Sequence, residues 1–324
     1  MRFAVILFFF FVGIVFIVKG GDYFVDAASW IAKVSGIPRL IIGATIVSLA
    51  TTMPEMLVSL MASSQGKVDM SIGNAVGSVT ANIGLIMAIS IIFMPGGIRR
   101  RDYLPKSALM MSAALLIVAG GFKGEVSIPL ALVLMGVFTI FIFENINSAR
   151  RSMADESPAK AKAVKARPAK KEITSNLIKF AAGAAGIIIG AQLLVDTGSE
   201  LARIVGVSER IIGVTIVAVG TSLPELVTTI TAIVKNQSSL SVGNILGANI
   251  LDLSLIMPLC ALISGKPLPV SHASAAVDLP ACLIVGAIAV IPAMISSRFR
   301  RWQGALLLVV YIGYVFVTCT FTGL

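Results

Sequence analysis

The sequence predicts an all-α integral membrane protein with ten transmembrane helices, arranged as two inverted repeats of five helices each, in which helices 2 and 7 are broken. Three observations lead to this prediction. First, 57% of the residues are hydrophobic and only 13% are charged, about half the charged share of a soluble domain. Second, the apolar residues form long unbroken stretches. Third, the chain contains an internal duplication.

Ten apolar stretches are long enough to be counted as membrane spans, because a spanning helix needs about 20 mostly apolar residues. They cover residues 3–18, 40–63, 70–94, 104–121, 127–146, 174–195, 210–234, 240–264, 276–296 and 304–321. A membrane β-barrel would instead show short strands with alternating polarity. The predicted spans are therefore helical.

The duplication relates the two halves of the chain. Residues 25–89 align without a gap to residues 195–259, with 22 identities over 65 positions. Each half holds five spans, an odd number, so the second half enters the membrane in the opposite sense, which makes the repeats inverted. The predicted divisions are a first repeat 1–146 with its motif at 43–84, a cytoplasmic basic linker 147–173, and a second repeat 174–324 with its motif at 213–254.

The distribution of charge predicts the topology. The formal net charge of +10 would be compatible with nucleic-acid binding. With the N-terminus outside, however, the inner side carries 19 basic residues and the outer side six, and the remaining one, Lys179, lies near the inner end of a helix. This asymmetry is what the positive-inside rule predicts. We therefore expect a multi-pass plasma-membrane protein surrounded by the lipid bilayer, with both termini outside. No nucleic-acid partner and no required protein partner is expected.

The motifs TTMPE (51–55) and TSLPE (221–225) place a proline inside an apolar span of each half. Pro54 and Pro224 have no backbone N–H and clash with the preceding turn, so each is expected to break its helix. Non-helical backbone is tolerated at membrane depth only next to protein or water. Freed carbonyl groups and the ends of half-helices are suitable partners for a cation.

Three carboxylates lie deep in predicted spans, namely Glu55, Glu225 and Asp252. A carboxylate at the centre of a span costs at least about 2.5–3.5 kcal/mol, which makes a functional role the default hypothesis. Hydroxyl side chains precede the two glutamates at helical spacing: Thr51, Thr52, Thr221 and Ser222. An alternative interpretation is that these hydroxyls cap the broken helices or bond back to their carbonyl groups.

The next span of each half carries further oxygen ligands. Ser78 and Asn82 lie one helical turn apart, and Asp252 takes the position of Asn82 in the second half. Carboxylate, amide, hydroxyl and carbonyl oxygens favour hard cations such as Ca²⁺ and Na⁺. No nucleophile–base pair accompanies them, so the sequence predicts neither an enzyme nor a bound cofactor.

The pattern G-x-T-x-V, T-[ST]-x-P-E and GNxxG, which occurs twice at a constant offset, resembles the two repeats of the cation/calcium antiporter superfamily, in particular its prokaryotic Na⁺/Ca²⁺ exchangers. The resemblance implies a secondary active antiporter that exports Ca²⁺ in exchange for Na⁺. It also implies alternating access, in which helices 1 and 6 slide across a fixed core. Ca²⁺ and Na⁺ are then transported substrates.

The resemblance further implies roles for individual residues. Glu55 and Glu225 would be central ligands of both ions, and Asn82 and Asp252 would complete the middle of the site. The remaining implied ligands are the hydroxyls of Thr51, Thr52, Ser78, Thr221 and Ser222 and the carbonyl groups of Ser48 and Ala218.

Three positions depart from the family pattern and leave the coupling ion open. Val79 stands where family members have the second Asn of a GSN motif, Ala248 stands opposite Ser78, and Thr52 replaces the usual Ser. Acids at the position of Asp252 occur in K⁺-dependent relatives. The alternatives for the coupling ion are therefore H⁺/Ca²⁺ exchange and K⁺-assisted exchange. A passive cation channel is a separate, less favoured alternative, because a channel would favour a continuous pore.

Overall fold

A computed structural model describes residues 2–154, 169–206 and 218–321, and these residues are almost entirely helical. The helices are α1 (Arg2–Ser35), α2 (Arg39–Thr51), α3 (Met53–Ser64), α4 (Val68–Phe93), α5 (Arg100–Phe122), α6 (Ile128–Ala154), α7 (Lys170–Ile204), α8 (Ala218–Thr221), α9 (Leu223–Val234), α10 (Ser238–Ser264), α11 (Ser274–Ser296) and α12 (Arg301–Phe321).

The described residues contain eight helices that are long and apolar enough to cross a membrane, or nine if α2 and α3 form one span with a 49° bend. The prediction of a helical membrane protein is therefore confirmed. The shorter apolar helix α9 belongs to the predicted span 210–234. The first part of that span lies outside the described residues, so the count of ten stays a prediction.

Helices α1 and α7 are longer than the stretches 3–18 and 174–195 that their apolar residues predict. They contain 34 and 35 residues, which corresponds to about 50 Å each at about 1.5 Å per residue. Charged residues continue each helix beyond its apolar part. The ends of the predicted linker 147–173 are also helical, because α6 continues to Ala154 and α7 begins at Lys170.

Four π-helical segments interrupt the regular helices of the described residues. They are Gly43–Val47, Asn82–Met87, Asp252–Ile256 and Ser274–Asp278. Such single-turn segments are rare and occur frequently at functional sites. Two of the four begin at residues that the sequence singles out as cation ligands.

A two-residue antiparallel pairing joins two loops, which the sequence analysis does not predict. Strands β1 (Glu125–Val126) and β2 (Leu268–Pro269) pair with Val126 opposite Leu268. A strand of two residues is too short to show the alternation from which strands are predicted.

The chain forms two compact units. Unit 1 comprises Met1–Thr51 and Asn145–Asn244, and unit 2 comprises Thr52–Glu144 and Ile245–Leu324. Each unit therefore draws on both halves of the duplicated sequence.

The core of unit 1 is built on close contact between α1 and α7. A Cβ atom at Gly20 would lie 2.9 Å from the carbonyl oxygen of Gly183, and one at Gly190 would lie 2.8 Å from the carbonyl oxygen of Gly13. Small residues allow helix backbones to approach in this way. The offset of 170 residues converts Gly13 to Gly183 and Gly20 to Gly190. The sequence repeat therefore relates the contact of Gly20 with Gly183 to the contact of Gly190 with Gly13.

Unit 2 contains an ion pair between α5 and α6 whose lysine is buried and whose glutamate is partly exposed. The ammonium of Lys106, whose side chain is fully buried, lies 2.6 Å from Glu144 Oε2. A buried charge is strongly destabilising without its partner, so this pair ties the two helices together. The backbones of α12 and α4 also approach closely, because a Cβ atom at Gly304 would lie 2.7 Å from the carbonyl oxygen of Ala88.

Candidate cation-binding site

The break in each motif lies two residues before its proline. Thr52 separates α2 from α3, and Ser222 separates α8 from α9. Pro54 and Pro224 then lie in the first turn of the following helix, where a missing N–H costs no intrahelical hydrogen bond. The sequence therefore starts a new half-helix at each proline.

The two motif glutamates lie in the first turns of these half-helices, Glu55 in α3 and Glu225 in α9. Their exposed fractions are 1% and 0%. A helix N-terminus carries partial positive charge and stabilises a carboxylate by about 0.3–1 kcal/mol, and by up to about 2 kcal/mol when partly buried. The half-helix therefore offsets part of the cost of burying each carboxylate.

In unit 1, the hydroxyl of Thr51 is the last side chain before the first break. Thr51 Oγ1 lies 3.1 Å from Asn244 Oδ1 and 3.3 Å from the carbonyl oxygen of Ser48. The Ser48 hydroxyl donates a hydrogen bond to the carbonyl oxygen of Thr45 at 3.1 Å. Both Ser48 and Thr51 are buried. Thr51 thus bonds back to its own helix, as the alternative interpretation anticipates, while it also contacts α10.

The described residues at the two breaks do not cap the half-helices that follow them. Within the described residues, neither Thr52 nor Ser222 forms a side-chain capping hydrogen bond to its half-helix. Both are 2% exposed. The Oγ atom of Ser222 has no hydrogen-bond partner in the described part of the chain. Thr221 is half-buried, and Ala218 is the first residue of α8.

In unit 2, the predicted ligands of the next spans are all buried. Ser78 and Asn82 on α4 are 4% and 1% exposed, and Asp252 on α10 is fully buried. Asn82 and Asp252 each begin a π-helical segment. Asn82 Nδ2 donates a hydrogen bond to Asn249 Oδ1 at 3.1 Å.

Three asparagines that were not predicted as ligands contact these residues: Asn74, Asn244 and Asn249. Asn74 Nδ2 donates to the backbone carbonyl of Glu55 at 3.2 Å and to Ser59 Oγ at 2.9 Å. Asn74 and Asn244 follow the first glycines of the repeated GNxxG motif. Their repetition at the same offset was the available signal.

The oxygen donors determine which cation this set suits. Over the described ranges, no group of three or more His, Cys, Asp or Glu side chains is placed to hold a metal ion. The candidate ligands provide hydroxyl, amide and carbonyl oxygens beside carboxylates. Such mixed oxygen sets suit Ca²⁺ and Na⁺, and buried carboxylates at interrupted membrane helices are typical of ion-transport proteins.

Comparison with known proteins agrees with this class. The family model described as sodium/calcium exchanger protein matches residues 5–146 and, separately, residues 175–320. The chain belongs to the sodium/calcium exchanger family. This family consists of ion exchangers rather than enzymes.

Two similar proteins cover nearly the whole chain, and a third is similar to a shorter segment of it. The sodium/calcium exchanger MaX1 of Methanosarcina acetivorans is 30% identical over 94% of this chain and 96% of its own. A solved structure of the sodium–calcium exchanger NCX_Mj, soaked with 10 mM Na⁺ and zero Ca²⁺, has a TM-score of 0.77 at 28% identity, covering 96% of this chain and 97% of that one. The human sodium/potassium/calcium exchanger 1 is 36% identical over 26% of this chain and 8% of its own.

Proposed function

We propose that the protein is a secondary active antiporter that exports Ca²⁺ in exchange for Na⁺ by alternating access. Its membership of the sodium/calcium exchanger family and its similarity to MaX1 and NCX_Mj over most of their lengths support this function. The transported ions are its only proposed partners apart from the lipid bilayer.

The proposed architecture is ten spans in two inverted repeats of five. Two observations support it: the family model matches each half separately, and the α1–α7 glycine contacts exchange under the offset of 170 residues. The excess of basic residues in alternate loops supports a plasma-membrane orientation with both termini outside and the 147–173 segment in the cytoplasm.

We assign Glu55 and Glu225 as the central ligands of both ions, because each is buried in the first turn of a half-helix that follows a break in a repeated motif. This observation carries the proposal. Asn82 and Asp252 are assigned to the same function. The further ligands that we propose are Thr51, Thr52, Ser78, Thr221 and Ser222, with the carbonyl groups of Ser48 and Ala218.

A flux experiment tests the function and its two central residues. Purified protein in liposomes loaded with radioactive Ca²⁺ is expected to release it when Na⁺ is added outside. The variants Glu55→Gln and Glu225→Gln are expected to be inactive, because each removes one charged ligand. The matched control is Asp69→Asn, which changes an exposed acid on α4 and is expected to release Ca²⁺ as the unmodified protein does.

Other outcomes of the same experiment would contradict the proposal. Release driven by a pH gradient alone, without any effect of Na⁺, would replace Na⁺ by H⁺ as the coupling ion. Movement of Ca²⁺ down its gradient with no counter-ion would indicate a channel. Normal release by Glu55→Gln would remove this residue from the site.

K⁺-assisted exchange is a second candidate, favoured by one feature of the site. Asp252 adds a third buried carboxylate, and a segment of the chain is similar to the human sodium/potassium/calcium exchanger 1. A K⁺ requirement would appear as Na⁺-driven Ca²⁺ release that depends on K⁺ on the same side as Ca²⁺.

A further inference from the structure

Asn249 lies at the centre of a directed chain of polar contacts in unit 2. Its Nδ2 atom is 3.7 Å from the sulfur of Met110 on α5, and its Oδ1 atom accepts the hydrogen bond from Asn82 Nδ2 at 3.1 Å. Asn82 and Asn249 are at most 1% exposed, and Met110 is 2% exposed. Since the three side chains are shielded from water, their mutual contacts determine how each amide is oriented.

The thioether of Met110 sets the direction of this chain. A thioether sulfur accepts hydrogen bonds and has no hydrogen to donate, whereas a carboxamide has a donor end and an acceptor end. The donor end of Asn249 therefore faces Met110, and its acceptor end faces Asn82. With Asn249 in this orientation, a flipped Asn82 would place two carbonyl oxygens against each other. Asn82 is thus held with its Nδ2 toward Asn249.

The remaining polar atom of Asn82 is its Oδ1, which is buried and has no hydrogen-bond partner among the described residues. A buried carbonyl oxygen without a partner costs about 1–3 kcal/mol, so a native structure that keeps one calls for an explanation. A hard cation supplies that explanation, because it binds amide oxygen and is repelled by amide N–H.

We propose that Asn249 is a positioning residue for cation selectivity and affinity: it orients the amide of Asn82 so that Oδ1, and not the NH₂ group, is presented to the transported cation. This inference rests on the proposed function, since it takes Asn82 to be a ligand. It extends that function by assigning a role to a residue that does not itself touch the ion.

The sequence repeat supports the assignment. The offset of 170 residues relates Asn82 to Asp252 and Asn249 to Val79. A carboxylate offers an acceptor oxygen in either orientation and needs no orienting partner. At the equivalent of Asn249, the chain correspondingly has Val79, whose side chain forms no hydrogen bonds. The two halves differ at both pairs of positions, Asn82 with Asp252 and Asn249 with Val79, for one reason. The amide ligand needs an orienting residue, and the carboxylate ligand does not.

A double-mutant cycle tests this role. The variants are Asn249→Val, which copies the natural residue at position 79, Asn82→Asp, and the combination of both. The measurements are equilibrium binding of radioactive Ca²⁺ to the full-length protein in detergent and the KM and maximal rate of Na⁺-driven Ca²⁺ release. Asn249→Val is expected to weaken Ca²⁺ binding and raise KM about tenfold, equivalent to about 1.4 kcal/mol. In the Asn82→Asp background, the same change is expected to have no effect.

The outcomes separate a positioning role from a structural one. An equal loss of affinity in both backgrounds, or no loss in either, would overturn the proposal. Loss of Ca²⁺ binding by Asn82→Asp alone would also overturn it, because a carboxylate should replace the amide oxygen as a ligand. If Asn249→Val does not fold, the variant Met110→Leu tests the positioning role of Asn249 instead. It removes the acceptor that orients Asn249 at similar volume, and it must weaken binding in the Asn82 background only.

The same assays distinguish failure of this inference from failure of the proposed function. If Glu55→Gln exchanges Ca²⁺ normally, the proposed site is wrong. If Glu55→Gln is inactive and the cycle shows no coupling between positions 82 and 249, only the role of Asn249 is wrong.

Discussion

Asn82 of α4 and Asp252 of α10 occupy equivalent positions of the duplicated sequence, and each is the first residue of a π-helical segment. A π-helical turn displaces the backbone from its regular hydrogen bonding and recurs at functional sites. The two halves therefore share this local backbone feature and differ in the charge that they place on it.

Asp252→Asn is expected to weaken Ca²⁺ binding about tenfold, or about 1.4 kcal/mol, because it replaces a proposed charged ligand by a neutral side chain on the same backbone. If K⁺ assists exchange, its stimulation should also disappear. Equilibrium binding of radioactive Ca²⁺ and K⁺-dependent flux check both effects. Unchanged Ca²⁺ affinity would show that Asp252 is not a ligand, and Asp69→Asn serves as the control for loss of an acid elsewhere.

Asn74→Leu is expected to destabilise the first turn of α3 by about 1–3 kcal/mol, because the backbone carbonyl of Glu55 and the Ser59 hydroxyl lose a donor. Both the melting temperature and the rate of Ca²⁺ release should fall. Ser59→Ala keeps the bond to Glu55 and is the matched control, so it should change the rate less. Equal losses of rate in the two variants would assign no special role to the bond with Glu55.

Gly73 and Gly243 are equivalent in the repeat but differ in their surroundings. A Cβ atom at Gly243 would clash with the carbonyl oxygen of Leu40, whereas one at Gly73 meets no described atom within 4 Å. Gly243→Ala is therefore expected to destabilise the protein by about 1–3 kcal/mol, the usual cost of overpacking. Gly73→Ala should leave the melting temperature nearly unchanged. Equal shifts in the two variants would contradict the close approach of α10 to α2.

Lys235 connects the end of α9 to α1 through two acids. Its ammonium lies 2.8 Å from Asp26 Oδ1 and 3.1 Å from Asp22 Oδ1. Burial by itself lowers the pKa of Lys235, but the hydrogen bonds with Asp26 and Asp22 and their charges raise it above its ordinary value of 10.5. A lysine whose pKa is higher in the folded than in the unfolded state stabilises the fold. This stabilisation is complete at a pH below the unfolded-state pKa and is lost as the pH rises through the folded-state pKa.

Lys235→Met is accordingly expected to lower the free energy of unfolding by about 0.5–1 kcal/mol near neutral pH, since Asp26 is exposed and Asp22 is half-buried. The difference in melting temperature between this variant and the unmodified protein should persist up to about pH 10 and vanish at higher pH. A double-mutant cycle with Asp26→Asn measures the coupling of this pair. Additive effects of the two changes would mean that the ion pair contributes nothing.

Much of the fold was predictable because the membrane imposes a simple rule. A span requires about 20 apolar residues with internally satisfied backbone groups, so continuous apolar stretches identified the helices. The ends of α1 and α7 were less predictable. Residues such as Asp22 and Lys33 are polar yet continue α1 to Ser35, because intrahelical hydrogen bonds do not depend on apolar side chains.

The site was predictable where its signal was local and repeated. A proline followed by a glutamate, found twice at one offset, identified both breaks and their carboxylates. The structure places the breaks at Thr52 and Ser222, since a proline is tolerated in the first turn of a half-helix.

The sequence by itself determined the membrane class, the duplication and the candidate oxygen ligands, because apolar length and residue chemistry are properties of the chain. Only the tertiary structure decided which side chains contact those candidates. Asn82 and its partner Asn249 are 167 residues apart, and the thioether of Met110 lies on a third helix. A hydrogen bond has a donor end and an acceptor end, and which atoms face each other is settled only when the helices are packed.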